Sequence, residues 1–105
     1  MVMDALVLQL GIDLDSTGLL ADLKEANDHS NIYGTHYQLV FQFPNGYGAS
    51  VIRGYCSYGG SRGLFELAVL DSTGEITYKT PITGDVLGYL SGSEVVDLLQ
   101  QIKVL

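Results

Sequence analysis

Apolar and polar residues alternate most regularly in the middle of the chain, where residues 37–43 read Tyr-Gln-Leu-Val-Phe-Gln-Phe. Alternation with a period of two predicts a β-strand with one buried face. Asn45-Gly46 follows, and Asn-Gly between two such segments is typical of a hairpin turn because both residues tolerate positive φ. The sequence therefore predicts a β-hairpin whose return strand runs from Gly48 to about Tyr55. In this register Phe43 faces Gly48, and a one-residue bulge would shift the pairing.

A second hairpin is predicted from residues 64–70 and 75–80, which are rich in strand-forming side chains and flank Asp-Ser-Thr-Gly. Pairing Val69 with Ile76 places apolar side chains on one face of both strands. The intervening residues Asp71–Gly74 then form a four-residue loop, in which the aspartate accepts backbone N–H groups and the glycine supplies positive φ.

The carboxyl end of the chain predicts an amphipathic helix. Ser91 and Glu94 have the spacing of a capping box. Helical spacing follows in Val95, Leu98, Leu99, Ile102 and Leu105. We expect this helix to cover one face of the sheet. The connector before it, Pro81–Leu90, is expected to bury Val86, Leu87, Tyr89 and Leu90.

Residues 1–35 allow more than one assignment. Apolar residues alternate strictly over Leu6–Leu14, which favours a strand, although the same leucine-rich run could form a helix. Gly11 counts against the helix. The segment Leu19–Asp28 has the composition of a short helix, and residues 29–35 are predicted to form a polar loop.

Together these elements predict an α+β fold with a four-stranded, mainly antiparallel sheet of two β-hairpins and a C-terminal amphipathic helix packed on one face. The N-terminal segment adds a strand or a helix, and a short helix. Residues 1–105 form a single domain, in which 1–35 are an N-terminal extension and 36–105 are the hairpin–hairpin–helix core. One core is expected to contain Phe41, Ile52, Leu67, Val69, Leu99 and Ile102.

Composition limits the partners that the chain can have. It is 47% hydrophobic and 16% charged, which predicts a folded protein, and its formal net charge is −7. Six acidic residues precede residue 30 against one base, Lys24, so direct binding of nucleic-acid phosphates is not expected. No stretch approaches the roughly 20 apolar residues of a membrane helix. The single cysteine, Cys56, excludes an internal disulfide and suits a reducing cytoplasm.

One short motif points to an enzyme. Asp13-Leu14-Asp15-Ser16-Thr17 matches the Asp-x-Asp-x-Thr loop of haloacid-dehalogenase-like phosphatases. That resemblance implies Asp13 as nucleophile, Asp15 as general acid–base and Thr17 as phosphate ligand. The family also requires a later lysine and paired magnesium-binding acids, and this chain does not complete that pattern. A small phosphatase is therefore the alternative to a non-enzymatic protein, for which the sequence predicts no catalytic residue, cofactor or metal site.

Two surfaces are candidates for binding a partner protein. The first is the acidic N-terminal third, represented by Asp22, Glu25 and Asp28. The second comprises two tyrosine-bearing loops, represented by Tyr47 and Tyr58, since tyrosine is enriched at binding surfaces. We expect the acidic surface to be the stronger candidate, because such an excess of acids over bases is harder to explain by chance.

Four stretches of the chain also resemble a known group of proteins. They are Asn-Gly-Tyr-Gly-Ala-Ser from residue 45, Ser-Tyr-Gly-Gly from 57, Phe-Glu-Leu-Ala-Val-Leu from 65 and Thr-Pro-Ile-Thr-Gly-Asp-Val from 80. These four stretches carry a resemblance that covers residues 37–105. That part of the chain resembles short proteins encoded by tailed bacteriophages, a group without an assigned activity. The resemblance implies a phage origin and the host-cell cytoplasm. We therefore expect a non-enzymatic protein that interacts with a host or phage macromolecule.

Overall fold

The protein folds around an antiparallel five-stranded sheet in which each strand pairs with the next along the chain. The computed structural model describes residues 2–82 and 84–105, with side chains from residue 5 onward. The elements in chain order are α1 (Val2–Leu10), β1 (Leu23–Asp28), β2 (His36–Gln42), β3 (Gly48–Gly54), β4 (Phe65–Leu70), β5 (Leu87–Leu90) and α2 (Gly92–Lys103). The α+β class and the C-terminal helix are confirmed, whereas the prediction of four strands is wrong by one.

The first hairpin is confirmed as β2 and β3, but its register differs by one residue from the prediction. Gln42, rather than Phe43, pairs with Gly48. The cause is the loop: the Phe43 N–H donates to the Tyr47 carbonyl at 2.8 Å, and Gly46 has a φ of +92°. This is a three-residue loop with a left-handed glycine, which adds one residue to the turn that an Asn-Gly pair forms alone.

The second hairpin has the same kind of loop, and its predicted register is also wrong by one residue. Leu70, not Val69, forms the bridge with Ile76. The predicted return strand leaves the sheet after Thr77, whose N–H donates to the Val69 carbonyl at 2.9 Å. Beside the first half of β4 its place is taken by β5, where Leu87 pairs with Leu67. The fifth strand therefore comes from the connector that was expected to lie outside the sheet.

Of the two alternatives left open for the start of the chain, the helix is the one that forms, over Val2–Leu10, and the strand favoured by the alternation of Leu6–Leu14 is wrong. Leu6 and Leu10, one turn apart, are buried, while Leu8 between them is 81% exposed. Gly11 ends the helix rather than preventing it. Its φ is +74° and its N–H donates to the Val7 carbonyl at 3.1 Å, which is a left-handed C-cap.

The predicted short helix over Leu19–Asp28 is wrong, because only Leu20–Asp22 forms a 3-10 turn and β1 follows at once. β1 pairs with β2, from Leu23 opposite Phe41 to Asp28 opposite Tyr37. Without β1, the backbone groups along that side of β2 would be unpaired at a sheet edge. Tertiary pairing here overrides the helical propensity of the segment.

One hydrophobic core joins both helices to one face of the sheet. Of the residues expected there, Phe41, Leu67, Val69, Leu99 and Ile102 are buried in it. Ile52 is not: it lies half-buried opposite Gln38 and Glu66 on the other face, and Val51 takes its place. The N-terminal extension is part of the same core through Leu6, Leu10, Ile12, Leu14, Leu19 and Leu23.

The capping box of α2 is confirmed. Ser91 Oγ accepts the Glu94 N–H at 3.2 Å, and Glu94 Oε1 accepts the Ser91 N–H at 3.0 Å. The far end of the helix is held by Asn45, whose Nδ2 donates to the Ile102 carbonyl at 2.8 Å. Leu105, expected on the buried stripe, lies beyond the helix and is exposed.

Candidate functional site

Three connections meet at one end of the sheet because the strands are antiparallel. β1 ends there at Asp28, β3 ends there at Gly54, and β5 ends there at Leu90. Large, solvent-exposed side chains lie at this end, four of them from the first two connections and one from the end of β5. We call this surface the tyrosine-rich end, and it consists of Ile32, Tyr33, Tyr55, Tyr58 and Tyr89.

The hairpin tip between β1 and β2 carries the most exposed of these side chains. Asn31 and Gly34 exchange backbone hydrogen bonds of 3.0 and 3.1 Å, which leaves Ile32 and Tyr33 as the two central residues of the turn. Ile32 is 92% exposed and Tyr33 is 75% exposed. Neither has positive φ, so the turn is not one of the types favoured in two-residue hairpins. Turn chemistry therefore does not account for an isoleucine and a tyrosine here.

Tyr55 fixes this tip to the loop after β3. Its hydroxyl accepts a hydrogen bond from Asn31 Nδ2 at 3.0 Å, and its ring centroid lies 6.3 Å from that of Tyr33. Gly34 permits the approach, since a Cβ at that position would be 3.2 Å from the Tyr55 Cβ. The Tyr55 and His36 rings are also arranged edge to face, with their centroids 6.2 Å apart. The tip is consequently held in place by polar and aromatic contacts.

Tyr58 and Tyr89 form the second half of the tyrosine-rich end. The Tyr89 N–H donates to the Tyr58 carbonyl at 3.1 Å, and the two side chains are 58% and 59% exposed. Gly88 and Gly59 provide the space for this contact, because a Cβ on either would lie within 3 Å of Tyr58 or Tyr89. Tyr89 has a φ of +56°, the one positive value at a non-glycine residue in the described part of the chain. A bulky side chain held in that conformation is often associated with a functional site.

Two histidines and a carboxylate lie beside the tip. The His29 N–H donates to the His36 carbonyl at 2.7 Å, and the two rings are 6.2 Å apart. Asp28 accepts the Ser30 N–H at 2.9 Å, and hydrogen bonds from Ser30 together with the neighbouring His29 hold the pKa of Asp28 below its usual value. The rim around the exposed aromatic side chains is therefore polar.

The sequence-predicted acids do not form one surface. Asp22 is only 9% exposed, and its carboxylate accepts a hydrogen bond from Lys103 Nζ at 2.7 Å. Glu25 pairs with Val40 and Asp28 with Tyr37, which place their side chains on opposite faces of the sheet. Of the six acids before residue 30, Asp4 alone lies outside the residues whose side chains are described.

The two sequence-predicted tyrosines lie at opposite ends of the sheet. Tyr58 is at the tyrosine-rich end, whereas Tyr47 follows the β2–β3 turn at the other end and packs, partly buried, against the core. Sequence reasoning missed Ile32 and Tyr33, and its expectation that Tyr89 is buried is wrong. For the first two the available signal was an Ile-Tyr pair between Asn31 and Gly34, inside a segment that was expected to be a polar loop.

Leu-Asp-Ser-Thr-Gly occurs twice, at residues 14–18 and 70–74, and both copies form turns. Asp71 Oδ1 accepts the N–H groups of Thr73 and Glu75 at 2.9 and 3.1 Å, which closes the loop after β4. At the first turn Asp13, the residue just before the repeat, accepts hydrogen bonds from the N–H and hydroxyl of Ser16, and these hold the pKa of Asp13 below its usual value. Both Asp13 carboxylate oxygens are thus engaged by its own turn.

Among the described residues, the lysine and the paired magnesium-binding acids that a haloacid-dehalogenase-like phosphatase requires are not gathered around Asp13. Lys103 is paired with Asp22, and Lys79 lies in the exposed segment after Thr77. Over residues 2–82 and 84–105, no three His, Cys, Asp or Glu side chains are placed to hold a metal ion together.

Comparison of the chain with protein-family models, with curated proteins and with solved structures finds no match. Neither helix in the described residues has the length and apolar character that a membrane crossing needs.

Proposed function

We propose that the protein is a non-enzymatic interaction module and that its tyrosine-rich end binds a partner protein. The observation that carries this proposal is the exposure of Ile32 and Tyr33 at a turn that requires neither side chain. Exposed apolar groups with a polar rim are typical of protein-binding sites. Burying one such side chain contributes roughly 1.5–3 kcal/mol, so the pair can supply a large share of the affinity.

The partner is expected to be a folded protein with an apolar recess. The hydrogen bond from Asn31 to Tyr55 and the contact between the Tyr33 and Tyr55 rings hold the tip in one arrangement before binding. A preorganised loop loses little conformational entropy when it is bound. The tip is narrow, because Ile32 and Tyr33 are the two central residues of a single turn. These properties favour insertion of the tip into a recess.

The acidic surface has less support as the principal site. Asp22 is buried in an ion pair, and Glu25 and Asp28 point to different faces of the sheet. Association through the tyrosine-rich end should therefore depend only modestly on salt, whereas association led by carboxylates would weaken strongly as salt rises.

The proposal also includes the origin of the chain and the place where it acts. The resemblance of residues 37–105 to short tailed-phage proteins supports a phage-encoded chain that acts in the bacterial cytoplasm on a host or phage macromolecule. The sequence stretches that carry this resemblance include Ser-Tyr-Gly-Gly, which contributes Tyr58 to the tyrosine-rich end.

Affinity capture from bacterial lysate tests the proposal. The double variant Ile32→Ser with Tyr33→Ser should lower partner recovery at least about tenfold, since a loss of 1.4 kcal/mol corresponds to tenfold in affinity. The matched control is Tyr78→Ser, which removes an exposed tyrosine outside the tyrosine-rich end. Equal recovery by the double variant and the wild-type protein would rule out the tip as the binding site.

A further inference from the structure

A second surface, separate from the tyrosine-rich end, lies between α1 and the chain that follows it. It is an open cleft of about 320 Å³. Val7 and Leu8 of α1 form one wall, and Ile12, Leu14 and Leu20 complete the apolar lining. A volume of a few hundred cubic ångströms accommodates one or two aliphatic side chains of a bound segment.

The apolar wall is more exposed than the fold requires. Leu8 lies on the side of α1 away from the buried Leu6 and Leu10, and most of its surface is in contact with solvent. A surface position in a helix is usually polar. Leu8 therefore extends the lining of the cleft outward to the protein surface.

Two carboxylates, those of Asp13 and Asp15, stand at the rim of this apolar cleft. Both residues are exposed, and neither has a cationic partner among the described side chains. Hydrogen bonds from Ser16 lower the pKa of Asp13 and so favour its ionised form. The cleft thus combines an apolar interior with an uncompensated negative rim.

We infer that this cleft binds a basic, apolar peptide segment of a partner protein. An aliphatic side chain of the segment enters between Leu8 and Leu20, and a flanking lysine or arginine meets Asp13 and Asp15. Charge complementarity selects this occupant. A second copy of the chain would bring a net charge of −7 towards the acidic rim, and nucleic acid would be repelled in the same way.

The inference can be tested with a defined peptide and without knowledge of the natural partner. The probe is acetyl-Lys-Leu-Leu-Lys-amide, titrated into the isotopically labelled full chain and followed by amide chemical shifts in NMR spectra. Two comparison peptides replace either both lysines with glutamate or both leucines with glycine. We expect saturable shifts confined to residues 7–20 for the first peptide, and at least fivefold weaker binding for both comparison peptides.

Variants of the chain complete the test. Asp13→Asn with Asp15→Asn should weaken binding at least about fivefold and reduce its salt dependence, and Leu8→Gln should weaken binding with the salt dependence retained. The control pair Glu75→Gln with Asp97→Asn removes the same charge from exposed positions away from the cleft and should leave the affinity unchanged.

Several results would overturn the inference. They are the absence of saturable shifts, shifts spread over the whole chain, equal binding of the glycine peptide, and equal weakening by the control pair. Concentration-dependent shifts of residues 7–20 without any peptide would identify a second copy as the occupant instead. None of these outcomes depends on the tyrosine-rich end, so the two binding proposals can fail separately.

Discussion

The carboxylate of Asp22 and the ammonium group of Lys103 lie 2.7 Å apart, and this ion pair joins the chain just before β1 to the last residue of α2. Asp22 is almost fully buried while Lys103 remains about one-third exposed. The pair therefore holds the final helix against the first strand, and it gives a structural role to an acid that had been assigned to a binding surface.

Removing one partner of this pair should destabilise the protein. We expect Asp22→Asn to lower the free energy of unfolding by about 1–3 kcal/mol, less than for a fully buried pair because solvent screens Lys103. Urea unfolding of Asp22→Asn, Lys103→Gln and the double variant gives the coupling energy. Additive effects of the two substitutions would show that the contact contributes no coupling.

The assignment of the two sheet faces predicts a contrast between Leu67 and Ile52. Leu67→Ala should cost about 2–5 kcal/mol because Leu67 is fully buried in the core. Ile52→Ala should cost less than half as much, since Ile52 is half-buried on the opposite face. Denaturant midpoints with unchanged m-values provide the measurement. A larger cost at Ile52 than at Leu67 would mean that the faces are assigned incorrectly.

The same two residues show how far the fold could be predicted from the sequence. Alternation in β2 identified the buried face of Phe41 correctly, because every second side chain of that strand enters the core. In β4 the predicted pairing with residues 75–80 placed Leu67 and Val69 on one face, and both are buried in the core although that register is wrong by one residue. Ile52 was placed by assuming a two-residue turn at Asn45-Gly46, and the left-handed Gly46 extended that turn by one residue. A shift of one residue reverses the face of every side chain on a strand.

Long-range pairing explains the other errors of prediction. Leu23–Asp28 has helical composition, but it pairs with β2, and Leu87–Leu90 joins the sheet beside β4. Local patterns do not contain either contact. The candidate site was predictable only in part. Tyr58 was recognised because it lies in a tyrosine-bearing loop. Ile32, Tyr33 and Tyr89 became recognisable only when the structure placed the β1–β2 connection and the end of β5 at one end of the sheet.

Stability should fall in acid because several carboxylates have lowered pKa values in the folded protein. Hydrogen bonds from the Thr73 side chain and the Glu75 N–H lower the pKa of Asp71 from its usual 3.8, and hydrogen bonds from Ser91 lower the pKa of Glu94 from its usual 4.5. The unfolded chain then binds protons first as the pH falls. The stabilisation is complete above these usual values and is lost as the pH falls through the lower, folded values.

Urea unfolding between pH 7 and pH 2.5 measures this dependence. We expect a level free energy of unfolding down to about pH 5 and a decline below it. The variant Asp71→Asn should show a shallower decline than the wild-type protein, because it removes one of the titrating groups. A free energy that stays constant between pH 5 and pH 3 would contradict the account of these turns.

Asp13 is expected to have no catalytic role. Its carboxylate is engaged by Ser16, Lys103 is paired with Asp22, and the described residues contain no group of three His, Cys, Asp or Glu side chains that could hold a metal ion. We expect no magnesium-dependent hydrolysis of a generic phosphomonoester that differs between the wild-type protein and Asp13→Asn. Robust hydrolysis that disappears in this variant would instead establish the phosphatase alternative.

Site-specific photo-crosslinking tests the central claim most directly. A photoreactive amino acid replaces Tyr33 at the hairpin tip or, as a control, Tyr78, and each variant is illuminated in bacterial cells. The account predicts a discrete protein adduct from position 33 that is absent from position 78. Adducts of equal yield at both positions, or none from position 33, would contradict binding through the tyrosine-rich end.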